Sequence, residues 1–158
     1  ATWLLKGETP KTVFCSLRRI KPNLYPKVDD EATIVLEYAN TQVIIQASWN
    51  WPYGRKDMEV YGQNGVIECL NGKDMLVGPK LEDRGKPLVA EALPPGLNDP
   101  FAYLEGVIRG RIKVQPFDLS ALDNNRIVVQ ILEAAKRSAE TGKVVEWGKF
   151  FGKKGKID

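Results

Sequence analysis

The chain contains no histidine. That removes the commonest general base and the commonest metal ligand. Ser-His-Asp and Cys-His nucleophile systems go with it. No CxxC pair, Walker-type loop or GxGxxG turn occurs either, so a self-contained enzyme is not expected. Cysteine is scarce: Cys15 and Cys69 each lie in an apolar, strand-like run. They could form one bridge at most, but a domain of this size needs no staple, and two buried free thiols are the expectation. There is no apolar run long enough for a membrane span and no leader-like opening. The chain starts without Met on "ATWLLKG", the tail of an amphipathic turn, which reads as a cut end. Any targeting segment would then lie upstream, and the compartment stays open with the cytoplasm as default. A strong charge of one sign is also missing: 23 Lys and Arg face 20 Asp and Glu, a net +3. The basic bias is confined to "SLRRIKP", "RGRIK" and the final "KFFGKKGKID". The last of these, residues 149–158, reads as a solvated tail, and no nucleic-acid partner is called for.

What is present suits one globular domain. A chain of 158 residues buries roughly 70% of its unfolded surface, enough for its own core. Residues 12–20 form a β-rich run. In "ATIVLEYA", Ala32, Ile34, Leu36 and Tyr38 alternate with Thr33, Val35 and Glu37, the period of a half-buried strand. After Asn40-Thr41, "QVIIQASWNW" returns as the second arm of an antiparallel hairpin. "MEVYG" and "VIECL" flank Gln63-Asn64-Gly65, and Asn71-Gly72 precedes "DMLVG". Asn-Gly steps tolerate the positive φ of tight hairpins, so 31–78 reads as one continuous meander. "GKPLVAEAL" reads as an edge strand within the 79–97 connection.

Two helices follow. Asn98 or Asp99 caps the first, Pro100 opens it and Gly110 lies past its end, with Phe101, Leu104, Val107 and Ile108 on its apolar face. The second spans 119–141, capped by Asp118 or Ser120 and ended by Gly142. Its apolar face carries Leu119, Leu122, Ile127, Val128, Ile131, Leu132, Ala135 and Ala139. "KVVEW" closes as a short strand. Strands first and helices after predict an α+β fold: an open-faced, mainly antiparallel sheet with helices on one face.

The other face of that sheet is mixed. Ile44, Gln46, Ser48 and Asn50 share it on one strand, Thr33 and Val35 on the next. It is too apolar for plain solvent and too polar for a dry core, which points to a partner surface. At the strand's end stands "SWNWPYGRK" (48–56), a lip of aromatic rings, amide and cation. Flat rings suit the apolar faces of sugars, and Asn and Arg hydrogen-bond hydroxyls. Trp49, Trp51, Tyr53 and Arg55 are therefore candidate substrate contacts, with Asn50 and Lys56 behind them. A core or sheet-edge role for the two tryptophans is the competing reading, and Arg18 and Arg19 suit a solvated or interface face. No residue is a candidate for catalysis or metal binding.

Two long stretches are recognisable. "DDEATIVLEYANTQVIIQASWNWPYGRKDMEVYGQNGVIEC" and "NDPFAYLEGVIRGRIKVQPFDLSALDNNRIVVQILEAAKRSAETGKVVEW" resemble the second domain of the glucose–fructose oxidoreductase / inositol dehydrogenase / MocA family. Tyr61 to Ile67 sit on that family's "leiyGtkGsi"-like step, and Arg137 to Lys143 on its "rSaetGk" step. The resemblance runs to about Trp147 and implies a substrate-binding and oligomerisation domain over 1–148. The parent would be an NAD(P)-dependent oxidoreductase acting on a sugar, cyclitol or related polyol. The family's Rossmann domain, with its Glu-Lys-Pro step, has no counterpart in this sequence. Its "G-x-H" histidine stands just before a segment like "ATWLLKG", so no catalytic residue is carried over. By the resemblance NAD or NADP belongs to the full-length protein and is not bound by this fragment, which is inactive alone. The open sheet face would pair copies into a homo-oligomer. The alternative is a stand-alone carbohydrate-binding or scaffold module without catalysis.

Overall fold

The computed structural model describes residues 1–71, 74–79 and 85–152. In chain order the elements are β1 (Thr12–Arg18), β2 (Glu31–Glu37), β3 (Gln42–Ser48), β4 (Met58–Gly62), β5 (Gly65–Cys69), β6 (Met75–Gly78), β7 (Lys86–Leu88), α1 (Pro100–Ile108), α2 (Leu122–Thr141), β8 (Val145–Glu146) and α3 (Trp147–Phe151). The chain divides into two bodies: residues 1–50 with 113–158, and residues 51–112.

The first body is a sheet in the order β3-β2-β1-β8, antiparallel throughout. The predicted alternation holds: Ile34, Leu36 and Tyr38 are buried, with Val13 and Cys15 of β1 beside them. Ile127, Ile131, Ala134 and Ala135 of α2 close over this side. α2 begins three residues later than expected, at Leu122, with Ala121 at its N-cap. Asp118 does not cap it, because its carboxylate accepts the Gln115 amide at 2.7 Å. Leu119 and Leu122, expected on the apolar face, lie before or at that shifted start and stay exposed.

Ser138 is fully buried and explains the "RSAETGK" run in physical terms. β8 pairs only with Thr12 and Val13. Beyond it the Ser138 hydroxyl accepts the Cys15 amide at 2.9 Å and donates to the Lys143 carbonyl at 2.8 Å. Gly142 then ends the helix at φ 65°, a left-handed cap that glycine takes without strain. On the uncovered side of the sheet, Phe14, Val35 and Ile44 lie in register across three strands. Thr12, Glu37 and Gln42 flank them on one side, Ser16, Thr33 and Gln46 on the other. This is the mixed face the sequence predicts.

The second body is a separate antiparallel sheet, β4-β5-β6-β7. The single meander expected over 31–78 is thus broken between Ser48 and Met58. The β2–β3 ladder closes with Trp49 N–H on the Asp30 carbonyl, the next pair in register; Pro52 and Gly54 follow, and β4 belongs to a new sheet. The β4–β5 hairpin turns on Gln63 and Asn64, with Gly62 paired to Gly65. Neither turn residue has positive φ, contrary to the Asn-Gly expectation. Gly65 is required for another reason: a Cβ there would lie 2.5 Å from the Gly78 carbonyl oxygen of β6. The turn expected at Asn71-Gly72 falls partly outside the described residues, as do 80–84 of the connection and 153–158 of the tail.

α1 opens as predicted, on Asp99, whose carboxylate accepts the Ala102 amide at 2.7 Å, and on Pro100. Its apolar face is not a core face, however: Phe101 is 80% and Ile108 75% exposed. The residue it buries is Gly106, where Ile112 packs too close for a Cβ. α3 was not expected; Trp147, Phe150 and Phe151 form its aromatic contacts.

Candidate functional site

The first three residues of the 48–56 lip, 48–50, are anchored by two acids that precede or open β2. Asp30 is 3% exposed, and its carboxylate accepts the amides of Ile20 at 2.7 Å and Lys21 at 2.8 Å. Burial alone would raise its pKa; these amides outweigh that and hold the carboxyl below the usual carboxylate value. The Asp30 backbone carbonyl accepts Trp49 N–H at 2.9 Å and Asn50 Nδ2 at 3.2 Å. Glu31 Oε2 accepts Asn50 Nδ2 at 3.0 Å and Ser48 Oγ at 2.5 Å. The Asn50 amide and Ser48 hydroxyl lower the Glu31 pKa in turn. Ser48 Oγ also accepts Asn50 N–H at 2.9 Å.

Asn50 therefore faces inward, with its amide nitrogen committed to two oxygens. Those bonds tie Asn50, a candidate contact from the sequence, to the start of β2. Trp49 is 60% exposed and stands against Tyr25, ring centroids 5.0 Å apart and tilted 57°. Arg19, expected on a solvated or interface face, ties down the loop that carries Tyr25. Its guanidinium donates to the carbonyls of Val28 at 3.1 Å and Pro26 at 3.0 Å.

The remaining candidates fall in the second body. Arg55 sits 5.0 Å over the Trp51 ring and grips Asp57 with two bonds of 2.7 Å. That bidentate pair raises the Arg55 pKa and lowers that of Asp57. Tyr53 is 72% exposed, and Lys56 is exposed beside it. The six candidates thus form two local groups: Trp49 and Asn50 built on Asp30 and Glu31, and Trp51 and Arg55 built on Asp57. Sequence reasoning missed Tyr25, Asp30 and Glu31. The available signal was "DDE" directly before a strand, since an Asp at that position has free backbone amides within reach.

Elsewhere in the first body a shallow groove of about 410 Å³ is lined by Trp3, Leu4, Lys6, Pro116, Phe117 and Asp118; it shares no residue with the lip. Among the described residues no cluster of His, Cys, Asp and Glu could hold a metal. Both cysteines are free, Cys15 buried and Cys69 half-buried; burial and then Asp29 raise the Cys15 pKa. No described helix is long and apolar enough to cross a membrane.

The sheet covered by α2 on one face, and the fold around it, match known proteins. Residues 1–68 match the family model of the GFO/IDH/MocA C-terminal domain. Solved structures share its fold. A Thermotoga maritima protein assigned as an oxidoreductase superposes with TM-score 0.68 at 18% identity, over 88% of this chain and 41% of its own. GenD2 from gentamicin A biosynthesis, solved in complex with NAD, gives 0.61 at 23% identity, over 92% and 44%. A Sinorhizobium meliloti protein assigned as a myo-inositol dehydrogenase gives 0.61 at 18%, over 92% and 46%. The chain thus spans less than half the length of each of these three. No curated protein matches it significantly. The lip lies inside the part matched to the GFO/IDH/MocA C-terminal domain, and so do Asp30 and Glu31.

Proposed function

We propose that this chain is the substrate-binding and oligomerisation domain of an NAD(P)-dependent oxidoreductase acting on a sugar, cyclitol or related polyol. The observation that carries the reading is the domain match over residues 1–68, which contains the aromatic lip. Each group in the lip supplies elements that polyol recognition uses: in the first body an exposed ring face at Trp49, and in the second an exposed ring face at Tyr53 and a guanidinium at Arg55 for hydroxyls. Asn50 beside Trp49, and Trp51 and Lys56 beside Tyr53 and Arg55, are the further contacts proposed in each group. The Phe14–Val35–Ile44 row gives the uncovered sheet face an apolar centre with a polar rim, the composition of a subunit interface.

The dinucleotide is assigned to another domain of such an enzyme. Its cradle is a parallel strand, a glycine turn and a helix start, whereas the described strand pairs here are antiparallel. The domain's own role is to hold the polyol and exclude water around it.

Titration of the chain's tryptophan fluorescence with a panel of hexoses and inositols tests binding, and sedimentation velocity tests association. A saturable change lost in Trp49→Ala, and a dimer or larger species lost in Ile44→Lys, are expected. A monomer that binds no polyol at any concentration rejects the reading. Turnover of NAD(P)H with a polyol by this chain alone would instead show that it is an enzyme by itself.

A further inference from the structure

Tyr25, Lys21, Asp30 and Trp49 form a closed circuit of contacts. The Asp30 carboxylate accepts Lys21 N–H at 2.8 Å. The Lys21 carbonyl accepts Tyr25 N–H at 2.9 Å, which closes a turn and presents the tyrosine. The Tyr25 ring meets the Trp49 ring at 5.0 Å. Trp49 N–H then returns to the Asp30 carbonyl at 2.9 Å. One residue thus holds the circuit at both ends, by side chain on one strand connection and by main chain on the next.

We infer that Asp30 is a positioning residue: it sets the orientation of the Trp49 ring through the Lys21–Tyr25 turn. As a positioning device for ligand, this rests on the reading of Trp49 as a substrate contact; as a statement about the ring, it does not. Trp49 is mostly exposed, so burial does little to select its rotamer. The tilted contact with Tyr25 restrains its outward side. Tyr25 in turn sits on a loop with no strand or helix of its own, held by Arg19 on the 26–28 carbonyls and by Asp30 on Lys21. Removing the carboxylate leaves Trp49 N–H bonded but frees the turn, so the ring loses its neighbour while the backbone keeps its course. A ring that must be immobilised on binding costs affinity, whereas one held in advance does not.

The test uses the chain labelled with 5-fluorotryptophan, the Trp49 resonance being assigned by its loss in Trp49→Phe. Asp30→Ala and Tyr25→Leu should move that resonance to the same position. The double variant should add nothing further, as for two members of one unit. Trp147, packed on Phe151 at 4.6 Å, should not move and so reports the intact fold. Asp30→Asn, which keeps one acceptor oxygen, should fall between wild type and Asp30→Ala; it carries the test alone if Asp30→Ala does not fold. A Trp49 signal unchanged in Asp30→Asn and Asp30→Ala overturns the inference, as does a signal that moves only together with Trp147. Polyol affinity should drop about five- to tenfold in Asp30→Ala, the cost of immobilising one side chain anew; unchanged affinity beside a displaced ring overturns the positioning role. If wild type binds no polyol, the proposed function falls, while the resonances still decide whether Asp30 sets the ring.

Discussion

Two four-stranded antiparallel sheets in this chain are held together by different means. The first packs one face under α2 and buries Val13, Ile34, Leu36, Ile127, Ile131 and Val145. In the second, among the described residues, Val66 is the one buried apolar side chain. Its strands rely on backbone ladders and on glycine positions that let strands approach, Gly65 against Gly78. Burial scales with area, about 25 cal/mol per Å², so the two sheets differ in the term that dominates their stability. A sheet with so little buried apolar area keeps its shape mainly through register and geometry.

The largest test of this contrast is truncation of the cores. Leu36 is fully buried, so Leu36→Ala should cost about 3 kcal/mol or more. Val66→Ala should cost about 2 kcal/mol, losing fewer methyl groups and leaving a smaller cavity. Urea denaturation reads both; equal losses would erase the distinction. A more local effect is expected from Gly65→Ala. The added methyl meets the Gly78 carbonyl and must push β5 from β6, so the Ile67 and Val77 amides should exchange faster while Val13 and Leu36 stay protected. Hydrogen exchange that accelerates equally in both sheets would mean that they open as one unit.

The smallest effect is acid sensitivity. Asp30 and Glu31 are held below their ordinary pKa values, about 3.9 and 4.3 in unfolded chains. Such a carboxyl contributes stability that is fully present above the unfolded value and is lost as pH falls through the lower folded value. The urea midpoint should therefore drop as pH falls below about 4, and Asp30→Asn should flatten that drop. Identical acid slopes in the two proteins would show that the amide contacts of Asp30 do not distinguish its charged form.

The first sheet was legible in the sequence because its pattern is simple. Ile34, Leu36 and Tyr38 alternate, α2 repeats at three and four residues, and both signals are made by burial. The second sheet misled for the complementary reason. With little core to mark its strands, the chain over 31–78 read as one meander, and the break shows only in the pairing, since β3 pairs with β2 and β4 with β5 of a separate sheet. Phe101 and Ile108 misled in the same way: helical spacing shows that residues share a face, not that the face is covered. In the candidate site, ring chemistry was visible from composition, and Asn50 and Lys56 were placed behind it. The supports were not visible, since Tyr25 and Asp30 reach Trp49 across 24 and 19 positions of chain, and no local pattern records such a meeting. The "RSAETGK" run was recognised as a likeness; its physical content, a serine hydroxyl standing in for a strand carbonyl, needed coordinates.

That serine has a consequence for how the sheet can grow. β8 occupies the outer side of β1 at Thr12 and Val13, and Ser138 takes the next outward amide, at Cys15. The outward amides of β1 are thereby taken as far as Cys15, so on this flank of β1 an incoming strand finds open donors only beyond that residue, and the hydroxyl that finishes a helix also shortens a sheet edge.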